Sequence, residues 1–370
     1  MTRIATPDKV IACGGLPRSG KTIISGVLGS HGQIAMPQSA LNFYYYFSAE
    51  AYNSRGGFEE NLDFFFESCR KSESWNITRD LVTESGVDRR DLYLILLETF
   101  RNAHFPNKKY VGEYTHLSER NFDTLVGWFG LERLRFIQII RDPYDNYASW
   151  VTARKIDRTQ RESRSLGAPV HQFCNMWAQS AAMGMARAIR YPKTYRVLYF
   201  DQIKVNPRLF VETLCEWLGV PPEVDTMLNM VDQQKKIESA FPIDQGPGVG
   251  VGYVKKDDYD RRQHLNEYEL AVIRSMVCPD LLGAMGYDVG AAADNGEAPN
   301  ALGSRPTSAR VKLSIRSYLS PLSTRQAAQA YLTGVPEAFR LVFSRALRKL
   351  VPRALRRRNA DYFRGDQTDA

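Results

Sequence analysis

The segment Gly15–Thr22 is the feature of this sequence that most constrains its fold. It reads Gly-Leu-Pro-Arg-Ser-Gly-Lys-Thr, and it lies between the apolar run 9–14, which we predict to be a strand, and a predicted helix over 21–30. A glycine-rich loop between a strand and a helix points backbone N–H groups at an anion. The loop also carries two cationic and two hydroxyl side chains, those of Arg18, Lys21, Ser19 and Thr22. We therefore predict a phosphate-binding loop.

Short apolar runs alternate with helical stretches along most of the chain. The predicted strands cover residues 9–14, 109–111, 135–140 and 195–200, and the third is uninterrupted enough to be buried on both faces. This alternation indicates an α/β fold, a P-loop-type parallel β-sheet flanked by helices. Ligands of such sheets bind at the carboxyl ends of the strands. Functional residues are therefore expected directly after positions 14, 111, 140 and 200.

Composition divides the chain into three parts. The strand and helix pattern stops near Gly283–Gly290, so we predict one domain over 1–290, a flexible linker over 291–309 and a basic helical C-terminal extension over 310–370. From Arg305 to Arg358 the sequence has 13 Lys and Arg against one acid, so this segment carries a charge of +12. The net charge of the whole chain is +8, so the rest of the chain carries −4. The basic charge belongs to the extension, and we expect no nucleic acid as a partner.

The extension contains an amphipathic basic helix within residues 336–358. Phe339, Phe343 and Leu347 share one helical face, and arginines occupy much of the remainder. Such a helix fits peripheral contact with an anionic membrane surface. A helix docked on the domain with a solvated basic face fits the pattern as well. Both interpretations remain open.

Cysteine usage and hydropathy indicate the compartment. The five cysteines are scattered, and no stretch approaches the roughly 18–20 apolar residues of a membrane-spanning helix. The N-terminal apolar segment is too short for a signal-peptide core. We predict a cytoplasmic protein, located at the inner membrane surface if the extension binds lipid.

The loop sequence also satisfies the ATP-binding pattern GxxxxGK[ST]. In such proteins the lysine reaches the β- and γ-phosphates, the Thr binds magnesium, and a carboxylate after a neighbouring strand helps to hold the metal. The strand over 135–140 instead ends in Arg141-Asp142-Pro143. An arginine beside Asp142 makes a magnesium ligand less natural there. Because the loop by itself matches the ATP-binding pattern, an ATP-dependent small-molecule kinase is the alternative function.

A second anion-binding motif changes this interpretation. Arg141-Asp142-Pro143 ends a predicted strand, and Ser149 lies eight residues beyond Arg141. Together with Pro17–Thr22, this pair resembles the sulfotransferase family that uses 3′-phosphoadenylyl sulfate (PAPS), whose members share a PRSGTT-type loop and a strand ending in RDP with a later Ser. Weaker similarities extend the resemblance over roughly residues 9–290.

The resemblance implies a donor site with two anion-binding parts. The loop is the family's cradle for the 5′-phosphosulfate, while Arg141 and Ser149 match its clamp on the 3′-phosphate. An arginine presents a planar fork that suits phosphate oxygens. The implied donor-binding residues are Pro17, Arg18, Ser19, Gly20, Lys21, Thr22, Ile23, Arg141, Ser149, Tyr199 and Lys255. The family usually has Thr at the position of Lys21 and often Lys or Arg at that of Tyr114. We therefore expect Lys21 to compensate for the positive charge near the sulfate that is missing at Tyr114.

The resemblance implies transfer of the sulfuryl group of PAPS to a hydroxyl of a carbohydrate, lipid or small molecule. Lys21 and Arg18 are expected to stabilise charge on the bridging oxygen, so no metal is expected. Glu113 is the first candidate for the base because it is expected to follow the second strand at the sheet edge, and His116 is the second. Asp201 is expected to cap a helix, with orientation of another side chain as the alternative.

Overall fold

The computed structural model describes residues 7–37, 39–47, 61–63, 65–67, 88–154, 169–230, 261–277 and 282. The predicted linker and basic extension, with the helix over 336–358, lie outside these ranges, as does Lys255. Among the helices in the described ranges, none is both long and apolar enough to cross a membrane.

Five parallel strands form one sheet in the order β2-β3-β1-β4-β5. The strands are β1 (Val10–Gly14), β2 (Ile34–Ala35), β3 (Tyr110–Tyr114), β4 (Leu134–Ile140) and β5 (Tyr195–Tyr199). The α/β class and the parallel sheet are therefore confirmed. Strand β2 was not predicted, because two residues are too few to show a periodicity.

Helices connect the strands. They are α1 (Lys21–Gly29), α2 (Phe43–Tyr46), α3 (Arg89–His104), α4 (Phe122–Arg133), α5 (Pro143–Ala153), α6 (Pro169–Arg190), α7 (Phe200–Val205), α8 (Pro207–Leu218), α9 (Val224–Asn229) and α10 (Glu267–Met276). Within the described ranges, two short 3₁₀ helices cover Ser118–Asn121 and Arg261–His264.

The side chains of β1 alternate between two apolar cores. Val10 and Ala12 pack with residues of α3 and α4, whereas Ile11 and Cys13 pack with residues of α1 and α8. Helices therefore cover both faces of the sheet. Burial on both faces is the physical reason that the strands are almost continuously apolar.

Strand β3 is longer than predicted. Gly112, Glu113 and Tyr114 continue the parallel ladder with β1, so Glu113 lies within the strand rather than after it, and the expectation that it follows the strand is wrong. Position 112 requires glycine because neighbouring atoms leave no room for a side chain there. A Cβ at Gly112 would lie 2.3 Å from Met36 Sδ.

Candidate functional site

The phosphate loop is a tight turn that only particular residues can form. Gly15, Arg18 and Gly20 have φ angles of 125°, 67° and 100°, in the region that favours glycine. A Cβ at Gly20 would lie 2.2 Å from the ring of Phe200, so the loop packs directly against the start of α7. Gly20 precedes the first residue of α1 and has no capping side chain. The N-terminus of α1 is therefore directed at the loop without a side-chain cap.

Lys21 folds back onto the loop that precedes it. Its Nζ donates a 2.9 Å hydrogen bond to the carbonyl oxygen of Gly15 and a second one to that of Leu16, and it lies 3.4 Å from Ser19 Oγ. Burial lowers the pKa of Lys21 to about 7, although the negative charge of Glu119 opposes that change. Near neutral pH the ammonium is therefore close to losing its proton.

The second anion motif lies where β4 becomes α5. Asp142 begins this helix: its carboxylate accepts the backbone N–H groups of Tyr144 and Asp145 at 3.0 and 3.1 Å. Pro143 occupies the first turn, where no helical N–H bond is lost. This cap orients the helix that carries Ser149.

The two anion motifs meet at Arg18. Its Nε lies 3.3 Å from Ser149 Oγ, and its carbonyl oxygen accepts a 3.4 Å hydrogen bond from Arg141 Nη1. Ser149 and Arg141 are almost fully buried, at 1% and 6% exposure. Positions that are 131 and 123 residues apart in sequence thus form one cluster of donors.

Packing orients the side chain of Arg141. Its guanidinium lies 5.2 Å from the centre of the Phe200 ring, and its Nη2 lies 3.4 Å from Asp145. The indole of Trp177 donates a 2.9 Å hydrogen bond to the Arg141 carbonyl oxygen. The arginine is therefore held in place from both its backbone and its side chain.

The segment that follows β3 runs beside the entry to the phosphate loop. The N–H of Thr115 bonds to the carbonyl oxygen of Cys13, and that of Leu117 bonds to the carbonyl oxygen of Gly15, each at 3.0 Å. His116, between them, is therefore fixed next to the loop.

His116 is an exposed residue, but neighbouring protein atoms partly desolvate its imidazole. That partial desolvation lowers the pKa of His116, and so do the positive charges of Lys21, Arg18 and Arg154. The ring is therefore neutral at pH 7, which is the form that accepts a proton.

Glu113 is completely buried, on the face of the sheet that α3 covers. Its Oε1 accepts a 3.0 Å hydrogen bond from the hydroxyl of Tyr93, and its Oε2 accepts one of 2.6 Å from Thr115 Oγ1. Burial raises the pKa of Glu113 to about 7, while the two hydrogen bonds oppose the shift. Thr115 Oγ1 also accepts the N–H of Asn42 at 3.2 Å. Glu113 thus fixes the residue that precedes His116.

Sequence reasoning missed a buried polar network beneath the loop. Glu119 Oε2 accepts the N–H of Gly15 at 2.8 Å, and Ser180 Oγ donates to Glu119 Oε1 at 2.5 Å. The same hydroxyl accepts Gln138 Nε2 at 2.8 Å, and Tyr195 donates to Gln138 Oε1. These residues lie on different strands and helices, so no local sequence signal could have joined them.

Thr22 is paired with Tyr114, one of the two positions at which the sequence departs from the pattern that it resembles. The hydroxyls of Thr22 and Tyr114 lie 3.2 Å apart. Tyr114 is 5% exposed and packs in the same core as Ile24 of α1. A neutral hydroxyl therefore stands here beside the loop where the family often has a cation. Ile23 is half-buried against the same core.

Asp201 does not cap a helix. Its Oδ2 accepts the backbone N–H of Asp142 at 3.1 Å, so it joins the end of β5 to the end of β4. The expectation of a helix cap is wrong because α7 begins at Phe200, one residue before Asp201. Tyr199 pairs with Ile140, which places it beside the residue that precedes Arg141.

Comparison with known protein families identifies one family. A family model described as "Sulfotransferase family" matches residues 11–225, more than half of the chain. No curated protein sequence is significantly similar to this chain.

Solved structures of low sequence identity are similar to parts of the chain. The sulfotransferase domain of the Synechococcus PCC 7002 olefin synthase is 14% identical, covering 62% of this chain and 78% of its own, with a TM-score of 0.41. The sulfotransferase domain from the curacin biosynthetic pathway is 14% identical, covering 77% and 99%, with a TM-score of 0.43. Sulfotransferase STF9 from Mycobacterium avium is 13% identical, covering 62% and 68%, with a TM-score of 0.34.

Proposed function

The chain belongs to the sulfotransferase family, and from that premise we propose that it transfers the sulfuryl group of PAPS to a hydroxyl group, releasing adenosine 3′,5′-bisphosphate. The observation that carries the proposal is the meeting of two anion motifs at Arg18, which contacts both Ser149 and Arg141. A nucleotide with phosphate groups on both sides of its ribose needs two such sites close together.

The donor is assigned to the two motifs by their chemistry. The 5′-phosphosulfate is placed in the loop, where Lys21, Ser19 and Thr22 supply a cation and two hydroxyls at the start of α1. The 3′-phosphate is placed between Arg141 and Ser149. Their nearly complete burial supports this assignment, because a charge-assisted hydrogen bond is stronger where water is excluded.

Charge on the leaving group is assigned to the loop cations. As the acceptor oxygen forms its bond to sulfur, the bond from sulfur to the bridging oxygen breaks and negative charge develops on that oxygen. Lys21 and Arg18 are proposed to stabilise it. A bound anion would also raise the pKa of Lys21 and keep it charged, because it offsets the cost of burying the ammonium.

His116 is proposed as the base that takes the proton of the acceptor hydroxyl. The exposure of the residue and its place beside the loop support that role, and the lowered pKa keeps the ring unprotonated in the free protein. Donor binding would offset the neighbouring positive charges and make His116 more basic just when a base is needed. Glu113 is proposed to hold the segment carrying His116, because Tyr93 and Thr115 already bond to its carboxylate.

The acceptor is proposed to be a hydroxyl of a carbohydrate, a lipid or a small molecule. A cytoplasmic location, with contact to the inner membrane surface through residues 336–358, belongs to the same proposal. A lipid-linked acceptor would give that contact a purpose, since it brings the domain to the surface where the acceptor lies.

Calorimetric titration tests the proposal. We expect the protein to bind adenosine 3′,5′-bisphosphate equally well with and without a chelator. Arg141→Ala should weaken this binding by roughly tenfold to a hundredfold, because it removes a charge-assisted hydrogen bond to a phosphate. Magnesium-dependent binding of ATP, with none of the bisphosphate, would overturn the proposal and favour the kinase.

A further inference from the structure

Asn146 carries a buried polar atom that no neighbour satisfies. Its Nδ2 donates a 2.8 Å hydrogen bond to the carbonyl oxygen of Pro17, in the phosphate loop. A carbonyl can only accept, so this contact fixes which end of the amide is nitrogen. The other end, Oδ1, has no hydrogen-bond partner within the part of the chain that the structure describes, and the residue is 1% exposed. A buried acceptor without a hydrogen bond destabilises the protein, so it is normally paired with a donor.

The unpaired oxygen lies in the cluster that joins the two anion motifs. Asn146 and Ser149 are three residues apart on α5 and therefore share a helix face. Asn146 contacts Pro17, and Ser149 contacts the next residue, Arg18. Arg141 has a buried Nε that also lacks a partner among the described residues. Arg141 thus offers an unused donor, and Asn146 an unused acceptor.

The two unused atoms require different ligand groups. The Nε of Arg141 suits a phosphate oxygen, whereas the oxygen of Asn146 would repel one and needs an N–H or O–H group. A 3′-phosphorylated adenosine nucleotide offers two kinds of hydrogen-bond donor, its ribose 2′-hydroxyl and its adenine amino group. The 2′-hydroxyl stands on the carbon next to the phosphorylated one, and the amino group lies at the far end of the base.

We propose that Asn146 accepts a hydrogen bond from the 2′-hydroxyl of the nucleotide donor and selects ribonucleotides over 2′-deoxynucleotides. The inference rests on the proposed function, which places the 3′-phosphate at Arg141 and Ser149. Asn146 is then a specificity-determining residue. Through Pro17 it also connects this selection to the loop that holds the reacting end of the donor.

Titration with two nucleotides tests the wild-type protein first. We expect adenosine 3′,5′-bisphosphate to bind roughly 5- to 30-fold more tightly than its 2′-deoxy form, because the deoxy form leaves the buried oxygen unpaired. Failure of the wild type to bind either nucleotide would overturn the proposed donor and this inference with it. Equal binding of both would overturn the inference alone.

Variants then assign the selectivity to its residue. Asn146→Ala should bring the affinity ratio close to one, even where the lost contact to Pro17 weakens both nucleotides. Ser149→Ala is the matched control, since losing a phosphate contact should weaken both nucleotides equally and leave the ratio unchanged. An Asn146→Ala protein that folds and keeps the wild-type ratio would overturn the proposal. If that variant does not fold, the wild type can be titrated with the purine riboside analogue, which lacks the adenine amino group. An affinity that depends on this amino group and not on the 2′-hydroxyl would also overturn the proposal.

Discussion

The backbone N–H of Gly15 donates a 2.8 Å hydrogen bond to the buried carboxylate of Glu119. This amide stands at the start of the phosphate loop, yet it is directed into the protein rather than at a ligand. Glu119 is itself held by the hydroxyl of Ser180, on α6. Glu119 therefore anchors the loop to the protein interior, and its negative charge helps to keep the Lys21 ammonium protonated.

Replacing Glu119 should loosen this anchor. Glu119→Ala removes the acceptor of two buried hydrogen bonds, so we expect a loss of unfolding free energy of about 2–4 kcal/mol and nucleotide binding at least roughly tenfold weaker. Urea unfolding and calorimetry measure the two effects. Glu216→Ala, at an exposed position, is the control and should change stability by less than about 0.5 kcal/mol. Unaltered nucleotide binding by a folded Glu119→Ala protein would contradict the anchoring role.

Nucleotide binding should depend on pH through Lys21. The pKa of this group in the free protein is lowered to about 7, so the ammonium loses its proton as pH rises through neutrality. Affinity for adenosine 3′,5′-bisphosphate should therefore fall between about pH 6 and 8, and binding at pH 8 should take up a proton. Calorimetry in buffers of different ionisation enthalpy measures that uptake. Lys21→Met should bind weakly and without uptake, and persistent uptake in this variant would assign it to another group.

Stability should fall with pH because of Glu113. Its pKa is raised from 4.5 to about 7, so between these values the folded protein binds more protons than the unfolded chain. Stability due to the neutral carboxyl is complete below about pH 4.5 and is lost as pH rises through 7, on the order of 3 kcal/mol in all. Glu113→Gln should lose less stability between pH 5 and 8, as urea midpoints would show. Glu216→Gln should behave like the wild type, and an unchanged slope in Glu113→Gln would disprove the assignment.

Two variants separate the candidate bases. His116→Gln should reduce turnover by roughly 10²- to 10⁴-fold while nucleotide affinity changes little, because a general base acts only on the acceptor's proton. Glu113→Gln should reduce turnover less. Transfer of labelled sulfate from PAPS to a hydroxyl compound that the wild type accepts measures both. The opposite pattern, an active His116→Gln and an inactive Glu113→Gln, would make Glu113 the base.

Much of the fold could be predicted because its signals are local. The apolar runs of β1, β4 and β5 and the glycine loop each lie within a few consecutive residues, and the family resemblance drawn from the loop and from Arg141-Asp142-Pro143 is confirmed by the family match. The end of β3 was misjudged because Gly112 looks like a strand terminator in sequence. Only its close contact with Met36 shows why glycine is required there.

The sequence by itself determined that a strand, a phosphate loop and a helix follow one another, because backbone geometry and anion chemistry there depend on adjacent residues. Only the tertiary structure decided what surrounds that loop. The contacts of Gly15 with Glu119, of Arg18 with Ser149 and of Pro17 with Asn146 join positions more than a hundred residues apart. Hydrogen bonds of this kind depend on how helices and strands pack, and packing brings together residues whose spacing in the chain carries no pattern.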